Sequence, residues 1–446
     1  MMATAALNRE DASNEALRST IDFRLQLGWV LLLPLLFFSV HGAFSFQLKF
    51  ESIQAGLPDV ATHHPGFVGR FIFPGIVYSI VFWLILGSWN RVVAYAIHFK
   101  MLTLLALLTI CSAIWSQDPT RSALFGAFYL TGTLFAYSLV IRFQPEEIML
   151  LVSRAGIVVC LLGLIMVTFF PQFGLVDDQD PRTIGAWRGI FIDRTNAAEE
   201  MVFMLSPAII GWGRRFKSGQ ILSIVLLLAM IIKAQAVTAF IALFCFILFL
   251  ACLRFCRRVE PRQSKAFVVF GSFVTAVLAI TGSRYLPEIL RVLGRDPTLT
   301  GRTFIWGLLL ESIGKRPLLG YGFYAFWNEP LGEAGRVADS MGWTAGNAHN
   351  GILEICLQLG LFGVVIFVVT LIQALWNAWF CIRNDSSGRY DWYLGLIVLI
   401  MIYSIDAGTA VYPNELLSIL YVAMCCGLAQ AAWQIRHDGY HKEVYV

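Results

Sequence analysis

The chain has 446 residues, 58% of them hydrophobic and 14% charged, with a formal net charge of +4. Ordinary globular domains are about 45–50% apolar and about 25% charged, so composition excludes a water-soluble globular protein, and so small a charge gives no footing for nucleic acid. Lipid cannot satisfy free backbone groups, and the apolar runs lack the alternation of barrel strands. The expected class is an all-α, polytopic integral membrane protein.

Residues 1–26 are polar and mixed in charge, and are expected to form a cytoplasmic N-terminal tail before an uncleaved first anchor. Apolar runs near the roughly 20 residues needed to cross a bilayer then predict about twelve transmembrane helices within a domain over 27–433. They fall near 27–46, 71–89, 99–115, 122–141, 150–170, 197–213, 219–233, 236–254, 266–282, 353–380, 391–407 and 411–433. Only Lys233-Ala-Gln235 separates the seventh from the eighth. Residues 434–446 are expected as a cytoplasmic C-terminal tail.

Cations crowd the even-to-odd turns, "GRRFKSG" (213–219), "RFCRRVEPRQSK" (254–265) and "RNDSSGR" (383–389), so both termini are expected in the cytoplasm. Two long outside loops, 171–196 and 283–350, hold ten Lys or Arg residues, which long loops tolerate. Nine cysteines lie in spans or near cytoplasmic ends, so no disulfide framework is implied. No inverted repeat of the transporter kind is visible.

The larger loop is predicted to contain two amphipathic helices. In "YLPEILRVLG", Leu286, Ile289, Leu290 and Leu293 share a face that suits a membrane surface. In "TGRTFIWGLLLESIG", Thr300 can cap, and Arg302, Ile305, Trp306 and Leu309 fall at i, i+3, i+4 and i+7. Arg302 so placed either snorkels toward headgroups or binds an anion. "KRPLLGYG" (315–322) ends the helix in a tight turn. Trp306, Tyr321, Tyr324, Trp327 and Trp343 either stack on sugar rings or form an interfacial belt. "GNAHNGILEICLQLG" (346–360) then carries His349 and Asn350 into an apolar helix. By spacing alone, His349 is either a general base or part of a helix cap, for which Asn350 is the better residue.

Together "GRTFIW", "PLLGYG" and "AHNGILEICLQLGLFG" resemble, in order and spacing, the signature loop of the family of O-antigen ligases and O-antigen or exopolysaccharide polymerases. "SAIWSQDP" (112–119) and "WRGIFIDRTNAAEE" (187–200) look like its upstream motifs, and the resemblance covers about residues 105–380. It implies a glycosyltransferase on the outer face of the bacterial inner membrane, moving a glycan from a polyprenyl pyrophosphate to a hydroxyl acceptor without nucleotide, obligatory metal or other cofactor. By position, the family's catalytic His falls on His349, its signature-loop Arg on Arg302 and its upstream-loop Arg on Arg194 or Arg188. The chain departs from the family at Phe191–Asn196, where a His-Lys-Asn type run is usual, and at Ala236-Val237-Thr238, where Ser-Arg-Thr is frequent.

The chemistry fits those residue types. No nucleotide sugar or ATP is available outside the inner membrane, so the donor must carry its own leaving group, and arginine meets the charge that develops on departing phosphate oxygens. Arg302 with Arg194 or Arg188 is the expected clamp. His349 is the expected base, with nearby arginines favouring its neutral form and Glu354, if close, opposing them. Polymerisation of lipid-linked repeat units is the first reading; ligation to lipid A core is the second, and a transporter or flippase is the reading of another class. The partners so implied are a polyprenyl-pyrophosphate-linked oligosaccharide, a glycan or lipid A core acceptor, the bilayer, a flippase and a chain-length regulator, with no nucleic acid. Lesser candidates are Asp178 with Asp180 as a metal-binding Asp-x-Asp pair, the His63–His64 pair, and Arg154, Glu199, Glu200 and Asp406 as costly charges in or near spans.

Overall fold

The computed structural model describes residues 27–40, 72–177, 183–211, 217–258, 302–328, 332–342, 345–384, 388, 390–406 and 410–443. Among them the fold is all-helical, apart from one isolated bridge pairing Leu175 with Trp187. The helices are α1 (Leu27–Ser39), α2 (Phe73–Leu86), α3 (Trp89–His98), α4 (Lys100–Cys111), α5 (Pro119–Arg142), α6 (Pro145–Phe169) and α7 (Arg194–Ile210). Then follow α8 (Lys217–Ala234), α9 (Val237–Arg258), α10 (Arg302–Lys315), α11 (Glu333–Met341), α12 (Gly351–Asn384), α13 (Asp391–Asp406) and α14 (Leu416–Glu443).

Helices occupy the positions of eleven predicted spans; the ninth, 266–282, lies outside the described residues, as do the amphipathic stretch at 285–294, Thr300, Trp343, His63, His64, Asp178 and Asp180. Five helices are long and apolar enough to cross a membrane, namely α5, α6, α9, α12 and α14, or six if α2 and α3 count as one broken span. The connection expected between the second and third spans is itself helical. α3 turns 83° away from α2 across Gly87 and Ser88, and Asn90, Arg91 and His98 interrupt the apolar run without breaking the helical pattern of α3.

Burial separates centre from perimeter. In its most apolar stretch α14 is 83% buried against the rest of the protein and α9 only 28%, so α14 is the axis and α9 a rim. α14 packs on α5, α12 and α13, while α7 joins α6 and α8 to that bundle. Phe244 and Trp376 point outward at 66% and 67% exposure, as expected where the surrounding medium is apolar.

Polar caps start the long helices. Asp118 Oδ1 accepts from Arg121 N at 3.0 Å at the head of α5, and Gln144 with Glu147 forms a capping box on α6. Asp193 Oδ2 accepts from Thr195 N at 2.8 Å, which starts α7 three residues before the expected span. The short separator at 233–235 does break the chain: Gln235 is left-handed at φ 55° between α8 and α9.

The decisive irregularity lies in α12. Gly360 has φ 64° and ψ −165°, so the helix breaks there, and two halves are joined through a single residue. The turn "PLLGYG" fills the break. Leu361 N donates to Pro317 O at 2.8 Å and Phe362 N to Leu318 O at 3.2 Å, while Tyr321 N and Gly322 N donate to Leu357 O and Gln358 O at 2.8 and 3.0 Å. The two chains approach too closely for side chains, since a Cβ at Gly360 would lie 2.2 Å from Leu318 O. Gly360→Ala should therefore cost about 1–3 kcal/mol in backbone strain alone, before that clash. Gly307, mid-helix in α10 with nothing within 4 Å of a Cβ, should gain roughly 0.5–1 kcal/mol on change to Ala. Thermal melting in detergent should move down for the first and up for the second.

Candidate functional site

The sequence from α10 to the start of α12 forms a unit with its own small core. Ile305, Leu309, Tyr321, Phe326, Ala334, Val337, Ala348 and Leu357 are buried together, apart from the main bundle core. Ile305 and Leu309 share one face of α10, as their spacing predicts, and α10 packs on α11 and α12.

Within this unit the backbone at Ala348 is held from both sides. Its carbonyl accepts from Trp306 Nε1 at 3.0 Å, and its N–H donates to Glu354 Oε2 at 2.8 Å. Glu354, 3% exposed, also accepts from Trp327 Nε1 at 3.0 Å and Gln358 Nε2 at 2.7 Å. Gln358 in turn accepts from Tyr324 N at 3.0 Å. A carboxylate is suited to this place, because it offers acceptors only and every neighbour is a donor.

His349 follows directly. It lies in the left-handed region at φ 48°, half-buried, with its N–H donated to Asn347 Oδ1 at 3.0 Å. Histidine is among the residues that tolerate this region. The cap of α12 is Asn350, whose Oδ1 accepts from Ile352 N and Leu353 N, both at 3.1 Å. Of the two roles the sequence leaves open for position 349, capping thus falls to its neighbour.

The expected site residues divide into two places. Trp306, Tyr321, His349, Asn350 and Glu354 belong to the signature unit, and Arg302 is the first residue of α10, one turn before Trp306; the Arg302 side chain lies outside what the structure describes. Tyr321 is 3% exposed, its ring against Arg316 and Phe326 and its hydroxyl on Ser312 O at 2.7 Å, which makes it a packing residue of the unit. Trp306 positions the Ala348 backbone.

The upstream arginines are bound elsewhere. Arg188 donates through Nε to Phe173 O at 2.9 Å and through Nη2 to Gln172 O at 3.4 Å. Arg194 donates through Nη1 to Ala234 O at 3.2 Å and Gln235 O at 2.9 Å, closing the carbonyls freed where α8 ends. This brings its guanidinium to the threshold of Ala236-Val237-Thr238, the stretch that departs from the expected pattern. Among the lesser candidates, Arg154 lies over the Trp29 ring at 5.7 Å, Glu200 is buried in α7 at 4% exposure, and the Asp406 side chain lies outside the described residues.

Sequence reasoning quoted "SAIWSQDP" as an upstream motif but did not read its role, which is to fasten the unit to the bundle together with Arg121 and Ser122. Trp115 Nε1 donates to Leu319 O at 2.8 Å, Gln117 Nε2 to Ala325 O at 3.0 Å, and Ser122 Oγ to Phe323 O at 2.8 Å. Ser112 Oγ accepts from Phe323 N at 2.9 Å, and Arg121 Nε donates to Tyr324 O at 2.9 Å. The available signal was the density of small polar side chains at the end of an apolar run. Gln358, four residues after Glu354 in an otherwise apolar helix, was a second.

On the outer side, α11 is tied to α10 by charge. Glu333 receives Lys315 Nζ, Arg336 Nε at 3.0 Å and Ser312 Oγ at 3.0 Å. Partial burial alone would raise its carboxyl, but these donors together bring it below its ordinary value of 4.5.

Comparison with known proteins agrees with the resemblance. The family profile described as O-antigen ligase matches residues 222–368, about a third of the chain, which takes in the whole signature unit and leaves Arg188 and Arg194 outside. The exopolysaccharide production protein ExoQ of Rhizobium meliloti is 33% identical over 112 residues, 24% of this chain and 25% of that protein. Proteins provisionally named polysaccharide ligases from Rickettsia prowazekii and Rickettsia conorii are 29% and 30% identical over 120 and 114 residues, 24% and 22% of this chain. The matches span between 25% and 29% of the length of these three relatives.

Two measurements test the geometry. Glu354→Gln puts an amide N–H₂ where an acceptor is needed and should lower stability by about 1–3 kcal/mol. Because the folded-state value of Glu333 is depressed, its contribution is present above pH 4.5 and lost as pH falls through the folded value. The melting temperature of Glu333→Gln should thus lie below wild type at neutral pH, the gap closing on acidification below 4.5.

Proposed function

We propose that the chain, whose residues 222–368 match the O-antigen ligase family profile, is a membrane glycosyltransferase. It polymerises polyprenyl-pyrophosphate-linked repeat units of an exopolysaccharide or O-antigen on the periplasmic face of the inner membrane. The observation that carries this is the fixed turn at His349: the residue before it is bonded on both backbone groups and the residue after it caps α12.

His349 acts as general base on the acceptor hydroxyl. Such a base contributes about 10²–10⁴ in rate when held within hydrogen-bond reach. Arg302, at the start of α10, takes the pyrophosphate oxygens as they gain charge. Of the two upstream arginines, both held apart from the signature unit by backbone carbonyls, Arg194 is the better second cation. It commits Nη1 to backbone carbonyls, whereas Arg188 commits both Nε and Nη2. At an effective dielectric near 20, a guanidinium about 4 Å from a phosphate oxygen feels roughly 4 kcal/mol before desolvation. Two such groups supply the electrostatic part that a metal supplies in other phosphate chemistry.

The exopolysaccharide name of the Rhizobium relative favours polymerisation, and the names of the Rickettsia relatives favour a second reading, transfer of the finished glycan to a separate acceptor such as lipid A core. The donor and the base are common to both.

Purified protein in detergent, incubated with a synthetic polyprenyl-pyrophosphate oligosaccharide with and without lipid A core, separates them by mass analysis of product. Polymerisation gives a ladder from donor alone, ligation a single adduct only when the core is present, and neither product in either arm rejects glycosyl transfer. His349→Gln should reduce turnover by about 10²-fold or more and flatten the pH profile. Arg302→Ala and Arg194→Ala should each weaken turnover, and wild-type rates in both would reject the arginine clamp.

A further inference from the structure

At the end of the bundle away from His349 there is a cavity of about 460 Å³ lined by none of the residues that the proposed function uses. Two helices fix its place. α4 starts at the cavity mouth with Lys100 and runs toward the turn where Trp115 meets the signature unit. α12 starts beside His349, breaks at Gly360, and its second half reaches the cavity only at Thr370, about 15 Å beyond the break at about 1.5 Å per residue.

The walls are of two kinds. Lys100 and His98 stand at the break between α3 and α4 with Asn377 opposite, and no carboxylate is present among the lining residues. The other wall is mainly apolar, with Leu102, Ile372 and Trp376, and Thr370 and Gln373 add polar groups to it. Ile372 and Trp376 are 58% and 67% exposed and face outward from the bundle, where acyl chains lie around a membrane-crossing helix.

The bend between α2 and α3 gives the depth independently. α2 is apolar along its length and turns through 83° into α3, which has exposed Trp89, Arg91 and Ile97. α2 is too short to count as a span by itself, and an amphipathic helix set across an apolar one, as α3 is, suits the interface at headgroup level. His98 ends α3 and Lys100 begins α4, so the cationic mouth of the cavity is at that level too.

We propose that this cavity binds one anionic phospholipid, with its phosphodiester at Lys100 and its acyl chains along Ile372 and Trp376. A cation at headgroup depth above an apolar wall matches a phospholipid along its whole length. A free phosphate would use Lys100 and leave the apolar wall without a partner.

The test is lipid retention by the full-length protein in native mass spectrometry, with phosphatidylglycerol, phosphatidylcholine or inorganic phosphate added in detergent. One phosphatidylglycerol should be retained in preference to phosphatidylcholine. Lys100→Ala should weaken it about fivefold, near the effect of one lysine at an anionic surface, and Lys100→Arg should restore it. Equal retention of the two lipids, undiminished phosphatidylglycerol on Lys100→Ala, or displacement of the lipid by inorganic phosphate would each overturn the proposal. Lys100 is exposed, and the lipid preference of the wild type alone decides the matter if the variant folds poorly.

Discussion

The break at Gly360 is the constraint on which the site depends. A helix interrupted within an apolar bundle frees backbone groups that lipid cannot satisfy. Here they are met by another piece of chain, Pro317 to Gly322, through bonds running in both directions. Neither partner holds this shape alone. The turn needs the open end of the first half of α12, and α12 needs the turn. The positive φ of Gly320, Gly322 and Gly360 therefore serves one interlock, in which a Cβ at any of the three would meet an atom at under 3 Å.

From the interlock the rest of the unit follows by short steps. The turn positions Tyr321 under α10, whose Trp306 reaches Ala348. The first half of α12 carries Glu354 and Gln358, which bind Ala348, Trp327 and Tyr324. Buried polar groups of this sort are costly unless every one is bonded, and once bonded they specify a single arrangement. The "SAIWSQDP" turn then fastens residues 319–325 of the signature unit to the head of α5. A side chain at Gly322 would collide with Ser116, so the upstream motif and the signature motif are cut to each other's backbone.

Much of this was legible as pattern and little of it as contact. The apolar runs gave the helices, and the spacing of Ile305 and Leu309 gave the buried face of α10. The motifs "PLLGYG" and "LQLGLFG" were recognisable, but that their glycines pair across space depends on a backbone approach that no periodicity encodes. The helical connection α3 was missed because a charge-bearing stretch between two spans reads as a loop, and only its packing on α5 and α4 shows otherwise. Arg194 was identified by type and place. That it closes the end of α8 was hidden, since the sequence separates Arg194 from Gln235 by a whole helix pair.

The position of His349 brings these points together. Left-handed backbone costs about 1–3 kcal/mol for most residues, and it persists only where the surroundings over-determine it. Here they do so from both sides, through Ala348 and Asn350, and neither tie uses the imidazole. The backbone is thus restrained through its two neighbours. With His349 as the base of the proposed function, such restraint reduces the orientational freedom that the reaction would otherwise have to remove. Under the proposed function, the interlock at Gly360 acts at a distance, by fixing the helix from which that restraint begins.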